Sequence, residues 1–496
     1  FILLIFFAAV SCKKATAPFS NVIDIKNSPS YPTEEGLNAF FDLGGWMGFA
    51  LSDDKTKTGF AGPYILGLKH GVWASNNFAS LDLISEKGNS LLTNLNYSVQ
   101  KYFPGKLENQ LHFEDIHLVS NLIFTSDKSL IISTTITNNG TQNLNFTPQW
   151  KGEIFHQIGR LINNDTHLIT LMDNKQKIYL TPIINEDFTI SSDSNKYTIS
   201  LNNIILKPKG TKTYAIEIQY HPDQENIIGN AKINILRAFE DNQLRWEKYL
   251  EITKNNSLSK EEKLVLTKSI CTLINNWRSA AGALKHDGLF PSYHYKWFQG
   301  FWSWDSWKHA VALVKIDEEL AKNQVRAMYD YQDDNGMVAD CIFRDTTIEK
   351  HNWRDTKPPL SSWAIWEVFK HTTDTTFLEE MYPKLVKYHN WWYVFRDYDK
   401  DGLCEYGSTD GSLIAAKWES GMDNAIRFDN CKIVDGSNYS INTESVDLNS
   451  YLAKEKEYLS KMAKALKLSE YTKWEQEFNT LSDRIRNNFY DEKSGY

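Results

Sequence analysis

The chain contains 496 residues with a formal net charge of −8, and hydrophobic and charged residues make up 42% and 23% of it. This length exceeds what one compact core usually holds, so we expect two large domains of ordinary globular composition. The negative charge argues against nucleic acid as a partner, because binding phosphates requires a concentrated basic face. Sixteen tryptophans and 24 tyrosines supply flat apolar rings, which suit either core packing or stacking against sugars.

The chain begins with FILLIFFAAVSCKK, in which a short apolar run precedes Cys12. The run is too short to cross a bilayer and is typical of a signal peptide, whereas a buried first strand would need a continuation after Cys12. We therefore expect residues 1–12 to be a lipoprotein signal peptide, with a lipid on Cys12 as the only membrane anchor. The expected location is the periplasm or the outer membrane of a bacterium.

The other four cysteines are irregularly spaced and form no CxxC pair, so a zinc site is unsupported. An exported protein could pair them, and the sequence leaves that question open.

Alternating apolar and polar residues predict strands through the first half of the chain. The stretches 129–138, 196–208 and 212–222 alternate with period two, and polar turn clusters separate them. We expect residues 20–231 to form a many-stranded antiparallel β-sandwich.

Helical spacing of apolar residues replaces this alternation near residue 230. We expect a linker helix at 232–254 and a helical domain over 255–496, whose first helix opens with the capping-type sequence SLSKE. Later helical stretches are separated by aromatic loops and favour an α/α toroid over a simple bundle. They are 302–316, 318–333, 361–371, 376–397, 444–466 and 469–490.

The segment FQGFWSWDSWKHA (298–310) surrounds one acid with aromatic rings. Asp305 could cap the helix that begins here. Alternatively, Asp305 could bind sugar hydroxyls while Trp302 and Trp304 stack against the ring.

The segment NWRDTKPP (352–359) presents Trp353, Arg354 and Lys357 on a loop that two prolines stiffen before the next helix. Such loops at helix ends often carry functional residues, although Pro-Pro is also plain punctuation.

The segment RDYDKDGLCEYG (396–407) spaces three acids evenly before a glycine. Carboxylates of Asp397, Asp399 and Asp401, with the carbonyl of Leu403, supply the oxygen ligands that Ca²⁺ prefers. A structural Ca²⁺ is the predicted cofactor, and a solvated acidic loop is the alternative.

The segment KWESGMDN (417–424) contains Glu419 and Asp423, four residues apart beside Trp418. A loop carboxylate next to a tryptophan could act as a general acid. The alternative is that Asp423 caps a helix continuing through residues 425–426.

Together these segments resemble glycoside hydrolase family 63. The resemblance rests on FWSWDSWKHA, NWRDTKPPLSSWAIWEVF, MYPKLVKYHNWWYVFRDYDKDGLCEYG, WESGMDNAIRFD and ESVDLNSYL, which occur in the family's order over about residues 290–466. It implies a super-sandwich domain followed by an (α/α)6 barrel, and hydrolysis with inversion at the anomeric carbon. The helical stretches of this chain are fewer than such a barrel contains.

The resemblance also implies roles for individual residues. Asp423 matches the family's general acid, while the segments around Trp304–Asp305 and Trp353–Lys357, with Trp418 and Glu419, match the substrate-binding region. Glu444 of ESVD is implied as a further Ca²⁺ ligand. The family's general base is a glutamate near the end of the barrel, which we expect beyond residue 496, so residues 1–496 alone would neither fold completely nor turn over substrate.

We therefore expect an exo-acting inverting α-glycosidase that hydrolyses α-glucoside or α-mannoside-type bonds of oligosaccharides or glycosyl conjugates. Two alternatives remain: a lipid-anchored glycan-binding protein without catalysis, and a related α/α-barrel enzyme such as a trehalase or a phosphorylase.

Overall fold

A computed structural model of the chain describes residues 19–34, 38–68, 70–172, 176–222, 233–434 and 439–495. The predicted signal peptide and Cys12 lie outside these ranges, so the lipid anchor stays a prediction. Within the described ranges, no helix has the length and apolar character needed to cross a membrane. Cys271, Cys341, Cys404 and Cys431 are buried free thiols.

Antiparallel strands dominate the described residues up to His221. In chain order they are β1 (Met47–Ala50), β2 (Ala61–Ile65), β3 (Val72–Trp73), β4 (Ser80–Ile84), β5 (Tyr97–Phe103), β6 (Lys106–His112), β7 (Ile116–Phe124), β8 (Ser129–Asn138), β9 (Leu144–Glu153), β10 (Gly159–Asn163), β11 (Leu168–Met172), β12 (Gln176–Pro182), β13 (Phe188–Ser192), β14 (Lys196–Leu201), β15 (Ile204–Leu206) and β16 (Thr211–His221).

Two large sheets form the first domain. One has eight strands in the order β10-β11-β12-β16-β8-β7-β6-β5, and the other joins β13, β14, β9 and β15, with β4 also pairing to β9. Trp150 of β9 packs edge-on against Tyr214 of β16, with ring centroids 6.2 Å apart, so inner faces of the two sheets meet. This arrangement confirms an antiparallel β-rich first domain.

The stretch 196–208, whose residues alternate in the sequence, forms two strands, β14 and β15. Both β14 and β15 pair with β9, and Pro148 of β9 stands where the pairing passes from one to the other. Proline has no N–H to donate to the ladder, which gives a physical reason for the break.

Helices and short strands make up the second part of the chain. They are α1 (Ile235–Tyr249), α2 (Lys260–Asn276), β17 (Trp277–Arg278), β18 (Gly288–Leu289), β19 (Phe301–Trp302), α3 (Ser303–Leu313), α4 (Glu318–Tyr329), β20 (Cys341–Ile342), α5 (Ser361–Thr372), α6 (Thr375–Phe395), β21 (Glu405–Gly407), α7 (Leu413–Glu419), β22 (Ser440–Glu444), α8 (Val446–Ala465) and α9 (Tyr471–Phe489).

Consecutive helices pair, as in an α/α architecture: α3 packs on α4, α5 on α6, and α8 on α9. The predicted capping sequence is present at α2, where Ser259 accepts from the N–H of Glu262 and the Glu262 carboxylate accepts from the N–H of Ser259. A helical region following the β-rich domain is therefore confirmed.

The linker helix α1 covers part of the outer face of the eight-stranded sheet. Ile123, Ile131 and Ala215 point away from the main core, and Ala238 and Phe239 of α1 pack on them. The residues next to these three in their strands face the sandwich interior, because successive side chains of a strand point to opposite faces of the sheet. Helix α1 therefore packs on the face of the sheet opposite to the sandwich interior.

A buried ion pair ties α1 to the β-rich domain. Asp42 is fully buried and accepts two hydrogen bonds from the Arg245 guanidinium, at 2.8 and 2.7 Å, and one from the indole of Trp246 at 2.9 Å. Removing one partner of such a pair leaves the other charge buried without compensation.

We predict that Asp42→Ala lowers the free energy of unfolding by about 3–5 kcal/mol, because Arg245 then loses its only buried carboxylate partner among the described residues. Urea denaturation followed by tryptophan fluorescence measures the change. Arg237→Ala, which breaks the exposed Arg237–Asp241 pair on the same helix, is the matched control and should cost less than about 1 kcal/mol. Equal effects of the two variants on the free energy of unfolding would contradict a role for Asp42 in joining α1 to the β-rich domain.

Candidate active site

The main cavity, of about 1010 Å³, lies between the β-rich domain and the loops of the helical domain. Trp46 and the β2–β3 turn form one wall. Eight of the nine residues predicted to bind or cleave substrate lie on the opposite side: Trp302, Trp304, Asp305, Trp353, Arg354, Lys357, Trp418 and Asp423.

Asp423 lies on an exposed turn at the edge of this cavity. Helix α7 ends at Glu419, and a short 3-10 turn over residues 426–428 begins after Ala425 without a side-chain cap. The alternative that Asp423 caps a helix is therefore wrong. Gly421 has φ +68°, and a Cβ there would come within 3.2 Å of the Trp304 ring, so this turn requires glycine.

Asp305 also borders the cavity, in the first turn of α3. The cap position of α3 is occupied by Trp302, and no side chain caps the helix, so the alternative of a capping Asp305 is wrong as well. Burial raises the pKa of Asp305, while the ammonium groups of Lys308 and Lys357 oppose that rise. The Lys308 ammonium also lies 3.7 Å from the centre of the Trp304 ring.

Lys357 holds two buried carboxylates at the base of the cavity. Its ammonium lies 2.8 Å from Asp355 and 3.2 Å from Asp340, and it donates to the carbonyl of Trp418 at 2.5 Å. One ammonium cannot fully compensate two carboxylates, so burial and mutual repulsion raise the pKa of Asp355 to about 8. Burial is also the main cause that raises the pKa of Asp340, and the charge of Asp423 adds to it.

Asp340 borders the cavity although we did not predict it as a site residue. It immediately precedes β20, which pairs with β19, the strand that leads into α3. Its N–H donates to the carbonyl of Asn352 in the NWRDTKPP loop, and its carboxylate accepts from the side-chain amide of the same residue. Its signal in the sequence was a single acid inside the apolar stretch MVADCIF (337–343), which we did not weigh as a candidate site residue.

Glu419 does not border the cavity. It is fully buried, and its two carboxylate oxygens accept from Nε and Nη2 of Arg396 at 2.7 and 2.8 Å and from the N–H of Gly407 at 2.6 Å. With every strong contact made inside the protein, Glu419 is placed to hold the fold rather than to bind substrate, which corrects its predicted role.

Arg354 and Trp418 form a side wall of the cavity. The Arg354 guanidinium lies 5.0 Å from the centre of the Trp418 ring and donates to Asp410 at 2.5 Å and Ser412 at 3.1 Å. Trp353 continues this wall, and its carbonyl accepts from the hydroxyl of Thr409 at 2.7 Å. These contacts join the NWRDTKPP loop to the start of α7.

The three evenly spaced acids converge as expected for a cation site. Carboxylate oxygens of Asp397, Asp399 and Asp401 all lie within 4.8 Å of one another. Leu403 is buried, and its N–H donates to Asp401 at 2.8 Å. Burial raises the pKa of Glu444, and the charges of Asp401 and Asp399 add to that rise.

Glu405 adds a carboxylate that the sequence reasoning missed. It pairs with Glu444 across β21 and β22, and burial, followed by the charges of Asp399 and Asp397, raises its pKa to about 8. Among the described residues, Asp397 Oδ1 and Glu405 Oε1 are buried without a hydrogen-bond partner. Unsatisfied buried carboxylate oxygens in an acidic cluster fit the hard oxygen ligands that Ca²⁺ takes.

Comparisons with known proteins find relatives among glycoside hydrolases. A family model for the mannosylglycerate hydrolase MGH1-like glycoside hydrolase domain matches residues 298–496, and one for the N-terminal domain of glucosidase YgjK matches residues 25–216. The two matches together support a GH63-like glycoside hydrolase family for this chain. The resemblance stated from the sequence motifs is confirmed at this level.

Individual relatives are similar over part of their length. The mannosylglycerate hydrolase of Thermus thermophilus is 27% identical over 182 residues, covering 33% of this chain and 40% of that enzyme. The glucosylglycerate hydrolase of Mycolicibacterium hassiacum is 24% identical over 157 residues, covering 26% and 33%. The matches thus span less than half of either curated relative.

A putative kojibiose phosphorylase from the human microbiome has a similar structure, with a TM-score of 0.56 and 11% identity, covering 94% of this chain and 71% of that one. At this identity the likeness shows the fold alone.

We predict that Glu419→Gln and Asp423→Asn differ sharply in stability although the residues are four apart. Glu419→Gln leaves Arg396 buried without its counter-charge and should lower the free energy of unfolding by about 3–5 kcal/mol. Asp423→Asn changes an exposed turn and should leave the urea midpoint unchanged. Similar midpoints for the two variants would contradict the structural assignment of Glu419.

Proposed function

We propose that the protein is an exo-acting glycosidase that cleaves α-glucoside or α-mannoside-type bonds with inversion. The observation that carries this proposal is the position of Asp423. It stands on a turn that Gly421 and Trp304 fix, at the edge of a cavity that also contains Asp305 and Lys357. The similarity to mannosylglycerate and glucosylglycerate hydrolases supports the reaction class.

In this mechanism Asp423 donates its proton to the glycosidic oxygen as the bond to the anomeric carbon breaks. Water attacks the opposite face of that carbon, and a base takes the proton, so the product sugar has the inverted configuration. Inverting enzymes keep acid and base roughly 6.5–9.5 Å apart to admit the water. The family resemblance implies that this base is a glutamate.

The other cavity residues bind the terminal sugar. The Trp304 ring offers an apolar face, while the carboxyl of Asp305 offers oxygens for sugar hydroxyls. Asp340 and Asp355 share one ammonium on Lys357, which supplies hydrogen-bonding groups at the cavity base without a large net charge. This combination suits a neutral sugar better than an anion.

We predict that Asp423→Asn lowers kcat on α-linked oligosaccharides by about 10²–10⁴-fold, the usual contribution of a general acid. On α-glycosyl fluorides the loss should be much smaller, because fluoride leaves without a proton from the enzyme. Full-length wild-type protein and the variant are compared on both substrates, and NMR of the first product reports its anomeric configuration. Equal losses on both substrates would contradict the role of general acid.

The same assay separates the rival functions. Retained configuration would reject the inverting mechanism, and turnover that requires inorganic phosphate would indicate a phosphorylase. Binding of oligosaccharides without turnover of either substrate by full-length protein would favour the non-catalytic glycan-binding alternative.

The acidic cluster is proposed as a structural Ca²⁺ site. Asp397, Asp399, Asp401, Glu405 and Glu444 would hold the ion with the carbonyl of Leu403, and the ion would offset the repulsion among these carboxylates. The cluster begins one residue after Arg396, so a bound ion would fix the loop that leads to the buried contacts of Glu419.

We predict that Ca²⁺ stabilises the protein by about 2.7 kcal/mol when the free ion is 100-fold above its dissociation constant, and that chelation removes the gain. The double variant Asp397→Asn/Glu405→Gln should lose the response and equal or exceed wild-type stability in chelator, because it carries less repulsion. Thermal melts in Ca²⁺ and in chelator test this. Asp483→Asn, an exposed change on α9, is the control and should respond like wild type.

A further inference from the structure

Exposed aromatic side chains are concentrated in one short segment, Tyr295–Phe298, at the mouth of the cavity. Trp297 is 68% exposed, Tyr295 60% and Phe298 42%. Large aromatic residues bury their rings when packing allows it, so three such rings exposed within four residues mark a surface suited to a ligand.

This segment is continuous with the proposed sugar site. Trp297 and Phe298 line the same cavity as Asp423. Phe298 packs edge-on against Trp302, with ring centroids 5.6 Å apart, and Trp302 packs likewise against Phe343 at 5.7 Å. A row of rings therefore runs from the cavity wall outward to the exposed segment.

The β-rich domain supplies the other side of this mouth. His70, in the β2–β3 turn, lies 6.4 Å from Trp297 between ring centroids, and Leu68 of the same turn lines the cavity. The turn is held in place because the Gly67 carbonyl accepts from Arg344 at 3.1 Å and from Gln176 at 3.3 Å. Its position relative to Trp297 is thus fixed by contacts from both domains.

The polar groups at this mouth complement the rings. The Lys296 ammonium lies 4.9 Å from the centre of the Trp297 ring, which places a hydrogen-bond donor beside an apolar face. An aromatic face with an adjacent donor matches the apolar C–H face and the hydroxyl edge of a pyranose ring. The cavity volume of about 1010 Å³ also stands at the upper end of small-ligand pockets, more than one sugar requires.

We propose that Trp297 and Phe298 form a second sugar-binding subsite on the leaving-group side. The substrate then carries at least two sugar units beyond the bond that is cleaved, rather than a small group such as glycerate. The inference rests on the proposed function. An exo-acting enzyme would hold the terminal sugar beside Asp305, which lies deeper in the cavity, and the rest of the substrate would then extend outward along Trp302 and Phe298.

Binding to Asp423→Asn protein tests the subsite apart from catalysis. Isothermal titration with matched di-, tri- and tetrasaccharides of the α-1,2, α-1,3 and α-1,4 glucose series, and with mannosylglycerate, gives the dissociation constant for each length. Within the series that binds, the trisaccharide should bind roughly 5–10-fold tighter than the disaccharide, the gain expected of one aromatic stacking contact. Adding Trp297→Ala should abolish that gain and leave disaccharide affinity unchanged.

Two further variants make the outcome decisive. Trp297→Phe keeps an aromatic face and should retain most of the gain, whereas Tyr490→Ala removes an exposed ring away from the cavity and should change nothing. Disaccharide binding with no gain on lengthening, or a gain that survives Trp297→Ala, would overturn the subsite alone. Tighter binding of mannosylglycerate than of every trisaccharide would also overturn it, and no binding of any probe would overturn the proposed function with it.

Discussion

The buried carboxylate of Glu419 joins three separate loops of the helical domain. It accepts hydrogen bonds from the guanidinium of Arg396, where α6 ends and the acidic loop begins. It also accepts one from the N–H of Gly407, the last residue of β21. A longer contact of 3.4 Å reaches the N–H of Thr356 in the NWRDTKPP loop. A buried carboxylate that loses its charged partner is strongly destabilising, so the contacts of Glu419 keep these loops in fixed positions relative to one another.

The proposed site depends on this arrangement at short range. Trp418 immediately precedes Glu419, and its carbonyl accepts a hydrogen bond from Lys357. The turn after Glu419 places Asp423 at the edge of the cavity. Gly407 permits the close approach, because a Cβ there would lie 2.8 Å from the Arg396 side chain. The acidic cluster, the cavity base and the proposed general acid are thus connected through Arg396, Glu419 and the carbonyl of Trp418.

The cavity belongs to both parts of the chain. Trp46 and the β2–β3 turn close it from the β-rich side, and Arg344 links that turn to the loops of the helical domain. Asp42 and Arg245 fix the linker helix to the same β-rich domain. The β-rich domain therefore helps to shape the cavity.

Local periodicity and spacing were enough to predict the strand 129–138, the capping box of α2 and the convergence of the acids in residues 397–401. Eight of the nine residues predicted from the sequence motifs to bind or cleave substrate border one cavity. Asp340 and Glu405 were not predicted from the sequence. Pairing of β19 with β20 brings Asp340 to the cavity, and pairing of β21 with β22 brings Glu405 to the acidic cluster. The tertiary structure alone separated Glu419 from Asp423. On a continuous helix both would share one face, but α7 ends at Glu419 and the left-handed turn at Gly421 sends one carboxylate to Arg396 in the interior and the other to the cavity.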